Sequence, residues 1–442
     1  MLSNHSSPLS VLLLLWSHLQ PARAESSTFV AIYNTSTTPA HLPWNTYNYC
    51  NAPHVSAEHY EYPQHQGAQL KHVTVFMRHH KRTPDNLYPT ENSLNPLAGW
   101  NCTNFLQNNY GGHTAPINHQ ITIPEWHPFL PRIWNGSCDA GQLTAEGLED
   151  AIQHGKDLWS VYGGAHGFIQ SINHQDIYIR TSNSDRTYQV SGGLLFGMDP
   201  KFSDSFQVFT QPSHIDSLVP SYSCPRANQL RDHYQEAPEW THHMQETEPL
   251  RARLDEVLGT HGLGSWHNWH DHYFDSFTSR TCHGHPLPCN RNGHCVEEAD
   301  AASIHDAGHF EYNYIWNTAS GAKRYVQLTF GAMFLELARN MRALASDQEP
   351  YKMRLYVGHD GSMIRLASGL GIGGQKPLRW PALGSEIIME VWEIIGSITK
   401  ERFVRVLHEG TAVKDLEWIP FSEFLRLLDD NVPTDLFEAC ST

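Results

Sequence analysis

The sequence predicts an α/β protein, with a mostly parallel central sheet and helices on both of its faces. Short runs rich in β-branched and aromatic residues, such as KHVTVFM at 71–77, indicate buried strands. Helical segments follow these runs, as where DRTYQVSGGLLFGM at 185–198 comes after DIYIR at 176–180. Strands that alternate with helices are typical of a sheet covered by helices.

The same alternation continues along the chain. A helix is expected at LTAEGLEDAIQHGKDLWSVY (143–162), where Thr144 is a suitable N-cap and the apolar residues from Leu148 to Trp159 share one face. The elements expected after it are a helix at 325–346, a strand, loop and helix at 353–371, strands at 386–395 and 402–410, and a terminal helix at 420–430.

The domain organisation follows from shifts in composition. Residues 1–24 contain a short apolar core at 9–16 and ARA at 22–24, which predict a cleaved signal peptide, since the core is too short to span a bilayer. Residues 25–70 indicate an irregular N-terminal arm. The α/β domain is expected in two parts, 71–210 and 301–442. The region between them, 211–300, is rich in Pro, His and Cys and indicates an insertion or cap over the sheet.

Composition narrows the partners and the compartment. The formal net charge of −16 disfavours nucleic acid as a partner, and the 30 histidines suit an acidic compartment. We expect a protein that is secreted, or that resides in a vacuole or the cell wall, with no membrane partner. Sequons at Asn34, Asn101 and Asn135 are compatible with glycosylation. An even number of cysteines favours disulfides, and the candidates are Cys50, Cys102, Cys138, Cys224, Cys282, Cys289, Cys295 and Cys440.

Charged side chains and imidazoles follow three predicted strands at the point where each strand ends. In α/β sheets, ligands bind beyond the carboxyl ends of the strands. If the sheet is parallel there, the three junctions meet at one pocket that holds several arginines, at least two histidines and a carboxylate. The residues are Arg78, His79, His80 and Arg82 at the first junction, Arg180 and Arg186 at the second, and His359 and Asp360 at the third.

Such a pocket suits a phosphoryl group. Arginine forks match phosphate oxygens and stay charged. A neutral imidazole can attack phosphorus to form a covalent phosphohistidine, which water then hydrolyses. Asp360 is able to protonate the leaving alkoxide, while the arginines and His359 stabilise charge on the equatorial oxygens.

Four motifs resemble those of the histidine acid phosphatases, the second branch of the histidine phosphatase superfamily. RHHKRTP at 78–84 resembles R-H-G-x-R-x-P, and GQLTAEGLEDAIQHGKDL at 141–158 is similar to the Q-L-T-x-x-G helix of that family. IYIRTSNSDRTYQV at 177–190 is similar to R-S-T-x-x-x-R-T. GHDGSMIRLASGLG with PALGSEIIMEVWE resembles the H-D segment and the P-x-x-S-E-x-x-x-E-x-W strand. The motifs occur in order from about 71 to 395, and the N-terminal arm with YNYCN looks most like secreted fungal members.

The resemblance implies roles by position. It implies two domains, the smaller one a mainly helical cap, and neither a metal nor an organic cofactor. Arg180 matches a motif arginine that lies outside the phosphate clamp of the family. The implied roles are nucleophile for His79, proton donor for Asp360, and phosphate contacts for Arg78, Arg82, Arg186 and His359.

One position departs from the family pattern, because His80 stands where the family has glycine. Neighbouring side chains of an extended chain point in opposite directions, so His79 and His80 are not expected to face the same phosphorus atom. We expect His80 on the pocket wall or turned away, with backbone dihedrals that are unusual for a residue other than glycine.

Alternatives remain open at this stage. In CHGHPLPCNRNGHC (282–295), the cysteines with His283, His285 and His294 form a possible zinc site, although disulfides are favoured in a secreted chain. The leading function is secreted acid phosphatase. Its rivals are a phosphotransferase or mutase that uses the same phosphohistidine, and a non-catalytic relative that binds anions or glycans. The substrate is expected to be a small phosphomonoester, with phytate, sugar phosphates, phosphoproteins and phosphorylated glycans as candidates.

Overall fold

The structure is a computed structural model, which describes residues 32, 36–91, 99–102, 106–110, 113–118, 137–201, 206–374, 376–396 and 400–441. The predicted signal peptide and the sequons at Asn34 and Asn135 lie outside the described residues. Within the described part of the chain, no helix is long and apolar enough to cross a membrane.

Ten strands are found in the described chain. They are β1 (Ala68–Arg78), β2 (Leu106–Tyr110), β3 (His113–Asn118), β4 (Ile177–Thr181), β5 (Val208–Phe209), β6 (Met353–Gly358), β7 (Glu386–Ile394), β8 (Arg402–His408), β9 (Thr411–Ala412) and β10 (Ile419–Pro420).

Twelve α-helices accompany them in the described chain. They are α1 (Ala145–Trp159), α2 (Asp185–Met198), α3 (Pro225–Glu236), α4 (Pro238–Glu246), α5 (Glu248–Leu258), α6 (Gly264–His267), α7 (Asp271–Cys282), α8 (Glu298–Asn313), α9 (Ala322–Ala345), α10 (Asp360–Gly369), α11 (Phe421–Asp429) and α12 (Leu436–Ser441). A π-helical turn, Tyr314–Thr318, continues α8.

The central sheet has the strand order β10-β8-β7-β1-β6-β4-β5, with β9 paired to β8. Strands β1, β6, β4 and β5 pair in parallel, whereas β7, β8, β9 and β10 join the other side of β1 by antiparallel pairing. The α/β class is therefore confirmed. The parallel half of the sheet contains β1, β4 and β6, which are the strands that end at the three predicted junctions. Antiparallel pairing in the other half involves β7 to β10, and β7 ends at Ile394 only a few residues before β8 begins at Arg402.

Side chains alternate between the two faces of the sheet, and helices cover both. Val75 and Met77 of β1 pack in one hydrophobic cluster with residues of α1 and α2. Phe76, between them in sequence, packs in a second cluster with residues of α7, α9, α10 and α11. This is the period-two alternation of a strand buried on both sides. Thr144 caps α1 as expected, because its side chain accepts a hydrogen bond from the N–H of Gly147.

The region predicted as an insertion or cap is mainly helical from Pro225 to Cys282. Helices α3 to α7 occupy Pro225 to Cys282, and α8 and α9 extend this helical layer beyond residue 300. All described residues belong to one compact unit, Ala31–Thr442, so the predicted domain boundaries stay predictions.

All eight cysteines form disulfides, as the even count indicated. Cys282 pairs with Cys50 rather than within its own segment, and Cys289 pairs with Cys295. The cysteines of 282–295 are therefore not available as zinc ligands. The remaining pairs are Cys102–Cys138 and Cys224–Cys440.

Candidate active site

The ends of three parallel strands bring the predicted site residues together. Arg78, the last residue of β1, is paired in register with Gly358, the last residue of β6. His79 and His359 therefore leave the sheet side by side, and their ring centroids lie 5.3 Å apart. Arg186 lies in the first turn of α2, after β4, at the same end of the sheet.

His79 is buried and held by one ring nitrogen. Its Nδ1 lies 2.9 Å from the carbonyl oxygen of His80. Burial holds the pKa of His79 well below its ordinary value, and the charges of Arg186 and Arg78 lower it further. The ring is therefore neutral, with Nδ1–H donating to the carbonyl. That tautomer leaves a lone pair on Nε2, which has no hydrogen-bond partner among the described residues.

Arg82 and Arg186 flank His79. The guanidinium of Arg82 contacts two carboxylates, Asp85 and Asp275, at 2.8 Å each. Arg186 donates to the carbonyl of Gly141 at 3.2 Å. Both guanidiniums are fixed by partners on neighbouring loops and helices, so their positions are set before a ligand enters.

Arg78 lies deeper, and its side chain is 1% exposed. It donates to Asp360 Oδ2 at 3.0 Å and to the hydroxyl of Tyr49 at 3.1 Å, and it also contacts the carbonyl of Pro381. Arg78 is thus almost completely buried and is not among the residues that line the cavity.

His359 connects the second and third junctions. Its Nδ1 accepts from Arg186 at 3.4 Å, so its Nε2–H donates to the hydroxyl of Ser182 at 2.8 Å. Burial and the charge of Arg186 lower the pKa of His359 to about 3. His359 is therefore a neutral donor whose orientation is set by Arg186 and Ser182.

Asp360 accepts three hydrogen bonds. They come from the indole Nε1 of Trp380 at 2.8 Å, from Arg78 at 3.0 Å and from the backbone N–H of Gly361 at 2.7 Å. Burial alone would raise the pKa of Asp360, but Arg78, the indole donor and Arg82 lower it to about 2. The carboxyl group is therefore ionised when the cavity is empty.

Five of the predicted residues line one cavity of about 660 Å³: His79, Arg82, Arg186, His359 and Asp360. Arg180 does not reach it. Arg180 pairs instead with Glu336 and contacts Asp216 at 3.6 Å, in keeping with its implied position outside the clamp.

His80 is turned away from the cavity. Its Nε2 lies 3.2 Å from Nδ1 of His154, and His154 Nε2 lies 3.0 Å from Glu386 Oε2. Unusual dihedrals are not observed, because His80 is not among the described residues with positive φ. Room for its ring comes from Gly384, where a Cβ would lie 2.9 Å from His80 Nε2.

Several partners of the site had no signal in the sequence. Asp275 comes from α7 of the helical region and Trp380 from the loop before β7, so both reach the site only through tertiary structure. Asp85, three residues after Arg82, was the partner that spacing could have indicated. His154 and Glu386 lie within two of the four family motifs, but nothing in those motifs pairs either residue with His80.

The carboxyl ends of parallel strands thus place a neutral histidine, fixed arginines and a carboxylate around one cavity. This arrangement defines a phosphoryl-handling enzyme. The model of the histidine phosphatase superfamily (branch 2) matches residues 69–409, and the chain belongs to this superfamily.

The chain is similar in sequence to two phosphatases and in fold to a phytase. Bovine (Bos taurus) lysosomal acid phosphatase is 23% identical over 86% of this chain and 82% of its own. Human (Homo sapiens) 2-phosphoxylose phosphatase 1 is 24% identical over 83% of this chain and 75% of its own. The apo form of Hafnia alvei phytase has the same fold, with a TM-score of 0.55 and 15% identity over 86% of this chain and 99% of the phytase. The protein is a phosphoric monoester hydrolase.

Proposed function

We propose that the protein hydrolyses small phosphomonoesters through a covalent phosphohistidine on His79. The observation that carries the proposal is the fixed tautomer of His79. Because Nδ1–H donates to the carbonyl of His80, the lone pair of Nε2 is left for attack on phosphorus. Arg82 and Arg186 line the same cavity and supply donors to the phosphoryl oxygens, and His359, which also lines it, accepts from Arg186 and helps to orient that guanidinium.

The reaction has two steps. In the first, Nε2 of His79 bonds to phosphorus, the ester P–O bond breaks and the leaving alkoxide takes a proton from Asp360. In the second, water attacks phosphorus, the P–N bond breaks, and Asp360 accepts the proton that water loses. Inorganic phosphate then leaves as the monoanion with that proton, so His79 is neutral and Asp360 is ionised again.

The proton of the first step needs a source, because Asp360 is ionised in the empty cavity. A phosphomonoester below its second pKa, which is ~6, carries a proton of its own. Phosphoryl oxygens beside Asp360 raise the affinity of its carboxylate for that proton. We therefore assign the proton to the bound monoanionic substrate, with Asp360 passing it to the leaving oxygen.

Trapping the intermediate tests this proposal. Substrate labelled in the phosphoryl group is mixed with enzyme, quenched within the first turnover, and the protein is digested and mapped. Label on the peptide that contains residue 79 is expected in the parent enzyme and none in His79→Ala. Label on another residue, or turnover without any phosphoenzyme, would overturn the mechanism. Adding an acceptor alcohol separates hydrolysis from phosphotransfer, because a transferase gives a phosphorylated acceptor in place of inorganic phosphate.

The substrate proposed is a small phosphorylated molecule with a ring. Five aromatic side chains line the cavity next to the phosphate pocket: Trp269, Tyr312, Trp316, Tyr325 and Trp380. Their faces suit a sugar or inositol ring. A sugar phosphate, a phosphorylated glycan or phytate is therefore favoured over an extended phosphopeptide, and a panel of these esters compared by kcat/KM is the test.

We also propose that the chain works in a secretory compartment or outside the cell. Four disulfides in the described chain support an oxidising compartment. Asn101 is exposed, as a glycosylated residue must be. A mass decrease after glycosidase treatment of the protein from its natural source is expected, and Asn101→Gln should remove one glycan. An unglycosylated intracellular protein would contradict the proposal.

A further inference from the structure

The cavity that holds His79 continues past Asp360 to two arginines that form no ion pair with any described carboxylate. We propose that Arg231 and Arg365 form a second anion-binding subsite, so that the preferred substrate is a ring phosphomonoester whose leaving group carries a second anionic group. This inference rests on the proposed function, because it uses Asp360 to mark the position of the leaving oxygen.

A column of aromatic rings leads from Asp360 to this subsite. Trp380, which donates to Asp360, is stacked on Tyr312 with ring centroids 4.0 Å apart. Tyr312 in turn contacts Trp316 with centroids 4.6 Å apart. A leaving group whose oxygen is protonated by Asp360 therefore lies along these rings, and its far end reaches Trp316.

Arg231, on α3, is held among tryptophans rather than by an acid. Its Cζ lies 4.9 Å from the ring centroid of Trp269, 5.6 Å from that of Trp240 and 5.9 Å from that of Trp316. Its Nη1 is buried and has no hydrogen-bond partner in the part of the chain that the structure describes. Burial lowers the pKa of Arg231, because the cation is poorly solvated there. An anion in the cavity would supply the missing counter-charge.

Arg365, on α10, lies on the same tryptophan, with its Cζ 5.2 Å from the ring centroid of Trp316. Its Nε donates to the hydroxyl of Thr329 at 3.0 Å and its Nη1 to the carbonyl of Gly361 at 2.8 Å. Both acceptors are uncharged. The guanidinium is therefore fixed in direction while its charge is left for a ligand.

The buried arginines of the described chain show the usual arrangement, whereas Arg231 and Arg365 are partly exposed. Those that are buried pair with carboxylates: Arg78 with Asp360, Arg82 with Asp275, Arg180 with Glu336, Arg280 with Glu91, Arg354 with Glu349 and Arg405 with Glu390.

The carboxylates that line the cavity are already engaged. Asp85 and Asp275 contact Arg82, Asp271 lies 3.1 Å from His272, and Asp360 contacts Arg78. Among the described residues, neither Arg231 nor Arg365 forms an ion pair with a carboxylate, and the charges of Glu311 and Asp271 act on Arg231 only from a longer distance. A carboxylate or a second phosphate on the leaving group has the chemistry that two fixed guanidiniums recognise.

Three substrates test the inference: a hexose monophosphate, the matching hexose bisphosphate and the matching hexuronic acid monophosphate. In the parent enzyme, kcat/KM for the two doubly anionic esters should exceed that for the hexose monophosphate by about 10- to 100-fold, the range expected for hydrogen bonds to a charged group. Preference for both indicates a general anion subsite, and preference for the bisphosphate alone indicates a second phosphate.

Arg231→Gln should reduce this preference by about the same factor. Arg226→Gln is the matched control, because Arg226 is exposed on the same helix and bonds only to Gln229 among the described residues. If Arg231→Gln fails to fold, judged by its thermal transition, Arg365→Gln tests the same subsite from α10.

Equal kcat/KM for all three esters in the parent enzyme, or an unchanged preference in a folded subsite variant, would overturn the inference. A phosphoenzyme on His79 with equal use of the three esters leaves the proposed function intact and rejects only the subsite. Absence of any phosphoenzyme rejects the proposed mechanism itself.

Discussion

Nε2 of His80 lies 3.2 Å from Nδ1 of His154, on the side of the catalytic loop that faces away from the cavity. Both side chains are fully buried, and His154 in turn contacts the buried Glu386 at 3.0 Å. Burial lowers the pKa of both imidazoles, so they are neutral and one donates to the other. The two adjacent histidines of the RHHKRTP segment therefore have separate surroundings, and only His79 reaches the cavity.

Substitution of each histidine should separate these roles. His79→Ala should lose several orders of magnitude in kcat, as expected for a missing nucleophile. His80→Gly should fold and keep measurable activity, but it leaves a void and removes the partner of His154, so its free energy of unfolding should fall by about 2–4 kcal/mol. Turnover of p-nitrophenyl phosphate and denaturant unfolding check both. An inactive, folded His80→Gly beside an active His79→Ala would reverse the assignment.

Removal of the acid should depend on the leaving group. Asp360→Asn should lose about 10²- to 10⁴-fold in kcat on an alkyl phosphate, because the alkoxide needs a proton, and clearly less on p-nitrophenyl phosphate. Single-turnover rates on the two esters are the measurement. Asp429→Asn, at an exposed ion pair with Arg342, is the control that should change neither. Equal losses on both esters would remove Asp360 from the role of proton donor.

On the alkaline side of the pH optimum, kcat/KM should depend on the protonation of the substrate rather than on that of the enzyme. His79 is neutral down to well below its ordinary pKa and Asp360 ionises at about 2, so neither group changes state between pH 5 and 8. The substrate loses its own proton near pH ~6, and kcat/KM should fall as pH rises through that value. The optimum is then below neutrality.

Two esters that differ in their second pKa provide the check. The falling limb of kcat/KM should move with the pKa of the ester. A limb that stays fixed between esters, or an optimum above neutrality, would contradict a proton delivered by the substrate.

Chelation should leave activity intact. Among the described residues, one group has the composition of a metal site: His243, His270 and Glu311. Glu311 already accepts hydrogen bonds from His243 at 3.0 Å and from the ring of His270 at 2.7 Å, and these donors outweigh burial and lower its pKa to about 2. The carboxylate is thus satisfied by protein donors. Activity after extended dialysis against EDTA, with metal content measured, is the test, and loss of activity that added metal restores would contradict it.

Local patterns in the sequence predicted the secondary-structure elements well, but they predicted poorly which distant segments lie next to one another. The strand around Val75 and the cap at Thr144 depend on adjacent residues, and both are confirmed. The antiparallel half of the sheet was not predicted, because strand order depends on pairings between distant segments. For the same reason the ring of His80 could not be placed: its position depends on His154, 74 residues away, and on the space left at Gly384.

The candidate site also combines residues that the motifs predict with residues that only tertiary structure brings together. Motifs contributed the proposed nucleophile, the arginines and the proposed acid, whereas the residues that hold them came from other segments. Asp275 of α7 holds Arg82, and Trp380 donates to Asp360. Arg231 of α3 is farther still from any motif, and only the folded arrangement places it in the cavity with Asp360.

The disulfide arrangement has a consequence for proteolysis. Cys50–Cys282 and Cys224–Cys440 span overlapping stretches of the chain. A single cut anywhere between Cys50 and Cys440 therefore leaves two fragments that are still joined by at least one bridge. A nicked molecule would migrate as one species on a non-reducing gel and separate into two only after reduction. Clipping would thus pass undetected in a preparation judged only by a non-reducing gel.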